Sequence, residues 1–589
     1  MLKEYGAEGW QISRLAAPQE KPAKLYKLPQ EFYDLYRQPG GNFLAYTKDT
    51  DGDGQWQLYL FDPGNGVSVQ LTDGKSRNVE PVWSKDGKQM AYGSTPTGRE
   101  GMDLYTIAPF AKPPYSLRQI ASSATNPLEA YDWSPAGTQI VYLEYLANRS
   151  NNKLWLADLT TGANTLLTPK ADTEQTVFDD PHFSSDGQGL YVLTNLSSES
   201  RRLAYLHLKT RRFTFLSPRV KWDVEEYALA PDGQTIAFVT NEGGISRLYL
   251  LHTKTNQITP TKWSAVGLIA PQTNEPAAHL HWQSNSLDVA FDVAPPRTPN
   301  DVYSLNSKSG EFTHWSSSGD GGGLPLKDFT EPQLIQWPSF DKKKISGWLY
   351  QPPARFKGPR PVIIDLHGGP EEQFRPQFSG DTEFALQELG VAVIYPNVRG
   401  STGYGSNFVS LDDGLKRADA TRDVGALLDW IAAQPDFAAN RIMVRGDSYG
   451  GYLALSVAAT YGSRVRAVLS DSGPTNLVTY LENTAGWRRD LRRREYGDER
   501  APKIRAYLEK IAPRNNAAQI KAAVLIVQGA NDPRVKASEA EAMVAAMRHN
   551  GTPVWYLLGK NEGHGFSDPQ NSLFSLYAFT LFVEAFLLK

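Results

Sequence analysis

The strongest constraint on this chain is a repeat in its N-terminal half. An apolar or aromatic pair, a turn resembling Ser-Pro-Asp-Gly and a short apolar strand recur at Val82–Gly87 (VWSKDG), Asp132–Gly137 (DWSPAG), His182–Gly187 (HFSSDG), Ala228–Gly233 (ALAPDG) and His281–Asn285 (HWQSN). A weaker first copy lies at Arg37–Gly41 (RQPGG). The equivalent strand positions Ala45, Ala91, Val141, Tyr191, Ala237 and Ala290 are 46, 50, 50, 46 and 53 residues apart. A second strand follows most turns, as in Leu58–Phe61 (LYLF), Leu104–Ile107 (LYTI) and Leu248–Leu251 (LYLL). Asp-Gly steps supply the positive φ that tight hairpins need. A period near 48 built from short strands implies radial blades, each burying its face on its neighbour. The expectation is a β-propeller of six visible blades, with a seventh assembled from residues around 1–40 and 306–320.

Residues 316–325 (SSSGDGGGLP) form the most flexible stretch, and the pattern changes after it. Apolar runs such as Val362–Leu366, Val391–Tyr395, Ile442–Val444, Ala467–Ser470, Val524–Val527 and Val554–Leu558 alternate with helix-like segments at Asp423–Ala433, Tyr452–Thr460 and Glu539–Arg548. Such alternation predicts a parallel sheet with helices on both faces. The expected organisation is an N-terminal extension (1–30), a propeller (31–318), a linker (319–330) and an α/β-hydrolase domain (331–589).

Composition narrows the chemistry. No cysteine is present, which excludes disulfides, thiolate metal sites and a Cys nucleophile. Lys+Arg 61 against Asp+Glu 64 leaves a net charge of -3, without the basic excess of a nucleic-acid binder. No apolar run approaches the ~18–20 residues of a membrane span. The start, Met1–Tyr5, lacks the apolar core of a signal peptide. It reads as a cytoplasmic start, or as the trimmed end of a periplasmic or secreted chain. Asp49–Gly54 (DTDGDG) resembles the opening of a calcium loop, but Leu60 occupies the position where its glutamate belongs, so a hairpin tip is the better reading and no metal is expected.

After Ile442–Val444 comes Gly446–Gly450 (GDSYG), a Gly-x-Ser-x-Gly sequence in strand–turn–helix context. This is the pattern of a nucleophile elbow, in which a tight turn exposes the serine hydroxyl and the glycines avoid collision. A hydroxyl needs a base to become a nucleophile. Asp532 follows the run Val524–Val527 and His564 follows Val554–Leu558, 84 and then 32 residues on, in the chain order that this fold uses. With only 9 histidines in the chain, a chance His at that loop is improbable. Ser448, Asp532 and His564 are therefore the candidate catalytic residues. The backbone N–H of Tyr449 and one from the loop Leu366–Pro370 (LHGGP), preferably Gly369 over Gly368, are the candidate oxyanion donors. His367 reads as a structural loop histidine. A histidine base predicts activity that rises as its imidazole loses a proton near neutrality.

Taken together, the propeller repeat, His367–Pro370 (HGGP), Asn397–Gly405 (NVRGSTGYG), Gly446–Tyr452 (GDSYGGY), Gln528–Val535 (QGANDPRV) and Glu562–Phe566 (EGHGF) resemble the prolyl oligopeptidase family of serine peptidases, on the side of its acylaminoacyl-peptidase-like bacterial branch. The resemblance covers nearly the whole chain. It implies peptide hydrolysis through an acyl-enzyme without metal or organic cofactor, and a propeller that admits short peptides and excludes folded proteins. It further implies that Arg534 holds a substrate carbonyl and that Val535 walls a specificity pocket. The chain departs from the family in lacking a Trp-Gly pair after Gly405, where it has Gly414–Asp419 (GLKRAD). The pair Glu225 and Glu226 is a weak match to the amine anchor of the dipeptidyl-peptidase branch.

The arginines of Trp487–Glu495 (WRRDLRRRE) either bind a substrate carboxylate or belong to a solvated helix with acidic partners, and their helical spacing favours the second. The expected partners are short peptides, with no nucleic acid, no membrane and room for a homo-oligomer. Acylaminoacyl-peptidase or other exopeptidase action is the finer expectation. A carboxylesterase of the same fold, or a propeller interaction module on an inactive hydrolase, is the alternative.

Overall fold

The computed structural model describes residues 2–6, 9–28, 32, 34–50, 53–146, 151–168, 176–263, 267–269, 280–316, 326 and 329–589. The segments 317–325 of the flexible stretch and 51–52 of the calcium-like hairpin lie outside the described residues. The chain falls into two compact units, Met1–Thr50 with Gly54–Gly319 and Asp51–Asp53 with Asp320–Lys589.

In the first unit the repeat becomes six antiparallel sheets in chain order, spanning Leu35–Gln70, Arg77–Ser122, Leu128–Leu166, Phe178–Phe215, Asp223–Pro260 and Leu268–His314. The repeat positions Ala45, Ala91, Val141, Tyr191, Ala237 and Ala290 each fall on the central strand that follows the turn. Gly87, Gly137, Gly187 and Gly233 adopt φ of 68–70°, which is why the turn sequence favours glycine there. The fifth turn, lacking glycine, uses Ser286 at φ 57° instead. The repeated tryptophans link one blade to the previous one. Trp83 Nε1 donates to Tyr36 O, Trp133 Nε1 to Val82 O and Trp282 Nε1 to Ala228 O, at 3.2, 3.1 and 2.9 Å. A buried indole must find an acceptor, and here the acceptor fixes blade against blade.

Among the described residues no composite seventh blade is built. Leu35–Arg37 pairs within the first sheet and Phe312–His314 within the sixth. A separate three-stranded sheet, Leu2–Gly6, Gly9–Arg14 and Ala23–Lys27, occupies the N-terminus. Ile12 and Leu28 pack with Leu44, Tyr46 and Phe61 of the first blade. Gln19 donates its backbone N–H to Trp315 O, just past the sixth. Short local hairpin pairing thus wins over a pairing that would have to close the whole ring.

The second unit is an eight-stranded α/β sheet. Its strands are β1 (Gln333–Pro338), β2 (Lys344–Tyr350), β3 (Arg360–Leu366), β4 (Ala392–Asn397), β5 (Phe437–Asp447), β6 (Ala467–Asp471), β7 (Ala523–Gly529) and β8 (Val554–Gly559), in the order β1-β2-β4-β3-β5-β6-β7-β8. The pairs β1/β2 and β2/β4 are antiparallel and the rest parallel. Apart from Val391, which precedes β4, the apolar runs read from the sequence lie in β3 to β8. Alternate residues Val362, Ile364, Ile442, Val444, Val468, Val524 and Ile526 share one buried cluster with α1 (Ala418–Ala432), α2 (Tyr449–Thr460) and, after α3 (Gly486–Tyr496), α4 (Ala537–His549). The parallel strands β3, β5, β6, β7 and β8 therefore end on one sheet edge, where the loops that follow them converge.

One sequence expectation needs correction. The final helix, α5 (Pro569–Val583) continued to Leu588, is long and apolar enough by length and composition to cross a membrane. Its apolar residues are interrupted by Ser, Thr and Asn, so a search for an uninterrupted run passes over it. Phe579, Phe582, Val583 and Leu587 are buried within the protein, whereas Leu573, Phe574, Tyr577 and Leu581 are exposed.

Candidate active site

The strand β5 runs into Ser448, whose φ of 54° and ψ of −118° reverse the chain before α2 begins. A non-glycine residue at positive φ stores strain and needs surroundings that hold it. Here Ser448 donates its N–H to Asp471 O at 2.8 Å, and its carbonyl accepts from Tyr452 N–H. The flanking glycines are sterically required. A Cβ on Gly446 would lie 2.4 Å from the Gly450 carbonyl carbon, and one on Gly450 would lie 1.9 Å from Leu366 O. The elbow is therefore locked between β3 and β6.

Asp532 lies in the loop after β7 and is 1% exposed. Its Oδ1 accepts the backbone N–H groups of Arg534 and Val535 at 2.8 and 3.0 Å, while Oδ2 accepts from His564 Nδ1 at 2.7 Å. His564 Nε2 lies 3.1 Å from Ser448 Oγ. With Nδ1–H committed to the carboxylate, Nε2 presents its lone pair to the serine hydroxyl. The three residues named from the sequence are thus brought into one hydrogen-bonded row, drawn from loops 84 and 32 residues apart.

Sequence reasoning assigned no role to the groups that align this row. Glu562, 1% exposed, accepts from Ser567 N–H, Asp568 N–H and Asn571 Nδ2, at 2.8, 3.1 and 2.6 Å, and so ties the histidine loop to the start of α5. The Glu562 carbonyl accepts Asn531 N–H at 2.9 Å, joining the acid loop to the histidine loop. Gln528 Nε2 donates to Val535 O at 3.0 Å and reaches Asp532 Oδ2 at 3.4 Å. The one available signal was a glutamate two residues before the histidine in a short polar motif.

Tyr449 opens α2, so its backbone N–H has no acceptor within the helix. The loop after β3 comes close to the elbow, because a Cβ on Gly368 would sit 3.5 Å from Ser448 Cβ. Gly369 has φ 102°, a conformation suited to glycine. His367 finds its partners outside the row. Its Nδ1–H donates to Gly368 O at 2.9 Å, and its Nε2 is 2.8 Å from Ser401 Oγ, while burial lowers its pKa. A neutral imidazole holding a loop in shape fits that setting. Val535 is 1% exposed within the hydrophobic core, and its backbone N–H binds Asp532.

The segment that departs from the family pattern carries a buried ion network. Arg417 is fully buried, and its Nη1 bonds Asp412 Oδ2 at 2.5 Å and reaches Tyr449 Oη at 3.3 Å. Its Nη2 lies 3.3 Å from Glu495 Oε1. Arg492 Nη1 in turn joins Glu495 at 2.5 Å and Glu371, two residues past Gly369, at 3.6 Å. The network therefore ties the Tyr449 side chain to α3 and to the loop carrying Gly369. Removing one partner of such a buried pair is costly because the other charge is left behind.

In the first unit Glu225 accepts from Asn241 Nδ2 and Glu226 accepts the backbone N–H of Leu280, at 2.9 and 2.7 Å. Both carboxylates serve contacts within and between blades. Among the described residues no cluster of His, Asp and Glu is arranged to hold a metal.

Residues 376–588 match the model of the prolyl oligopeptidase family. This chain carries a prolyl oligopeptidase family domain. It is similar to dipeptidyl aminopeptidase BIII of Pseudoxanthomonas mexicana, 32% identical over 272 residues, a stretch covering 44% of this chain and 39% of that protein. It is also similar to dipeptidyl-peptidase 5 of Porphyromonas gingivalis, 24% identical over 470 residues, 76% of this chain and 65% of the relative. The matches thus span 39% and 65% of these relatives' own length. Among solved structures, a puromycin-hydrolyzing peptidase of Mycobacterium tuberculosis superposes with a TM-score of 0.80 at 18% identity, over 98% of this chain and 92% of the other. At that identity the likeness is one of fold. The prolyl oligopeptidase family domain contains Ser448, Asp532 and His564, together with Tyr449, Arg534 and Val535, whereas Gly369 lies just before its matched span.

Proposed function

We propose that this chain is a serine peptidase that hydrolyses short peptides through an acyl-enzyme on Ser448. The observation that carries the reading is the row Ser448 Oγ–His564–Asp532, with links of 3.1 and 2.7 Å, at a strained elbow on the carboxyl edge of a parallel sheet. In this reading His564 Nε2 takes the hydroxyl proton as Ser448 attacks the peptide carbonyl, forming the tetrahedral adduct. Asp532 keeps the proton of His564 on Nδ1 and stabilises the imidazolium. The N–H groups of Tyr449 and Gly369 receive the oxyanion. The imidazolium then protonates the leaving amine as the C–N bond breaks. Water, deprotonated by the same imidazole, attacks the ester, and Ser448 regains its proton.

The names of the relatives, dipeptidyl aminopeptidase and dipeptidyl-peptidase, support peptide substrates and an exopeptidase action. A fluorophosphonate probe tests the reading. It is expected to label Ser448 and no residue of Ser448→Ala, and Ser448→Ala is expected to abolish turnover of chromogenic short peptides. Peptides up to decamers surviving intact with an enzyme that still takes the label would refute peptidase action.

A further inference from the structure

The loop after β3 carries two consecutive glutamates in different settings. Glu371 lies 3.6 Å from Arg492 Nη1 and belongs to the buried ion network. Glu372 stands beside the reactive serine. Its Oε2 and Ser448 Cβ both lie 3.5 Å from the point where a Cβ on Gly368 would stand, so they are no more than twice that distance apart. The Glu372 side chain is exposed, and among the described residues its carboxylate accepts no hydrogen bond and joins no ion pair. Burial holds the His367 pKa below its usual value against the opposing effects of Gly368 O and Glu372, so at neutral pH that imidazole supplies no compensating charge.

The backbone beneath this carboxylate is fixed. Glu372 donates its N–H to Pro370 O at 2.8 Å, and its carbonyl accepts from Thr402 N–H at 2.9 Å. Gly369, at φ 102°, lets the turn close, since a Cβ there would lie 3.0 Å from Glu372 N and 3.1 Å from Glu372 Cγ. Two residues on, Phe374 N–H donates to Asn397 Oδ1 at 2.8 Å. A group presented from a fixed stem loses less freedom on binding than one on a loose loop. Distance then decides what it can meet. A peptide residue spans at most ~3.3–3.6 Å, so substrate groups one or two residues from the scissile bond fall in the same shell around Ser448 as Glu372 Oε2. An ionised carboxylate only accepts hydrogen bonds, and its strongest partners are cationic N–H donors. We propose that Glu372 is a specificity residue, which binds a cationic group of the peptide within about two residues of the scissile bond. That group is a free α-ammonium or a Lys or Arg side chain; all present N–H donors with positive charge. The inference rests on the peptidase reading of Ser448.

Two peptide series test it on the full chain. One moves a Lys, with norleucine as its neutral counterpart, through each position around the scissile bond. The other compares free and acetylated amino-termini. The readout is the peptide concentration that halves the rate of fluorophosphonate labelling of Ser448. The cationic form is expected to protect at ~5–10-fold lower concentration than its neutral partner in at least one series, and the responding series identifies the source. Glu372→Gln is expected to bring that ratio close to one, Glu372→Asp to retain part of it, and raised salt to reduce it. A carboxylate that only shaped the loop would shift both members of a pair alike, so a ratio that survives Glu372→Gln overturns the proposal. Equal protection by both forms in both series overturns it without needing a variant to fold. Calorimetric titration of the same peptides onto Ser448→Ala reads the subsite independently, so a protein that fails to take the label refutes the serine-hydrolase reading alone.

Discussion

Replacing Asp532 by Asn isolates what the carboxylate contributes. The side chain keeps its shape, and an Asn Oδ1 still accepts the N–H groups of Arg534 and Val535 that hold the loop at 2.8 and 3.0 Å. The other branch changes from an acceptor to an N–H donor 2.7 Å from His564 Nδ1. Two donors cannot share that contact, so His564 moves its proton to Nε2. The atom 3.1 Å from Ser448 Oγ is then an N–H with no lone pair to offer. Loss of the base tautomer is worth about 10⁴ in kcat for this kind of relay, or roughly 5.5 kcal/mol at 1.36 kcal/mol per decade. The assay is steady-state hydrolysis of a chromogenic peptide, alongside the labelling rate of Ser448 and a thermal melt. Both rates are expected to fall by at least about 10³, with a melting temperature within about 4 °C of the parent, because the loop bonds survive. A fall of less than tenfold in a folded variant would refute the tautomer argument.

Further outcomes follow from other parts of the molecule. Glu562→Gln weakens the charge-assisted bonds to Ser567 and Asp568 and is expected to lower kcat by about tenfold with a smaller effect on KM, a split that steady-state kinetics would reveal. Trp133→Phe leaves the Val82 carbonyl without its indole donor and is expected to cost about 1–3 kcal/mol in urea unfolding of the first unit. The Asp471 carboxyl is pushed up to about 7, first by burial and then by Asp447. A raised carboxyl stabilises the fold below about pH 4, and that contribution is lost as pH rises toward 7. Asp471→Asn should therefore gain in melting temperature relative to the parent as pH goes from 4 to 8, and a constant difference would contradict the assignment.

Sequence and structure agree best where a local rule dictates the geometry. The Asp-Gly turns set the hairpins, the repeated tryptophans mark where blades lock together, and Gly446 and Gly450 announce an elbow that only glycine fits. Ser448, Asp532 and His564 were legible because each follows an apolar strand in the order that this sheet requires. Strands β1 and β2 were not, because they pair antiparallel ahead of the helix-alternating pattern and Leu334 on β1 is exposed. The network of Asp412, Arg417, Glu371, Arg492 and Glu495 was hidden for another reason. Its members come from three separate loops and helices, and in sequence an arginine-rich helix looks the same whether its charges meet water or buried acids. Likewise, the first sheet of the chain pairs with itself, which nothing in the period of the repeat foretells.

Trapping the acyl-enzyme tests the central claim most directly. In acid-quenched reactions with a slowly deacylating peptide ester, mass spectrometry should find the acyl group on the fragment containing Ser448, formed in a burst equal to the enzyme present and absent from Ser448→Ala. An adduct on another residue, or turnover undiminished in Ser448→Ala, would contradict it.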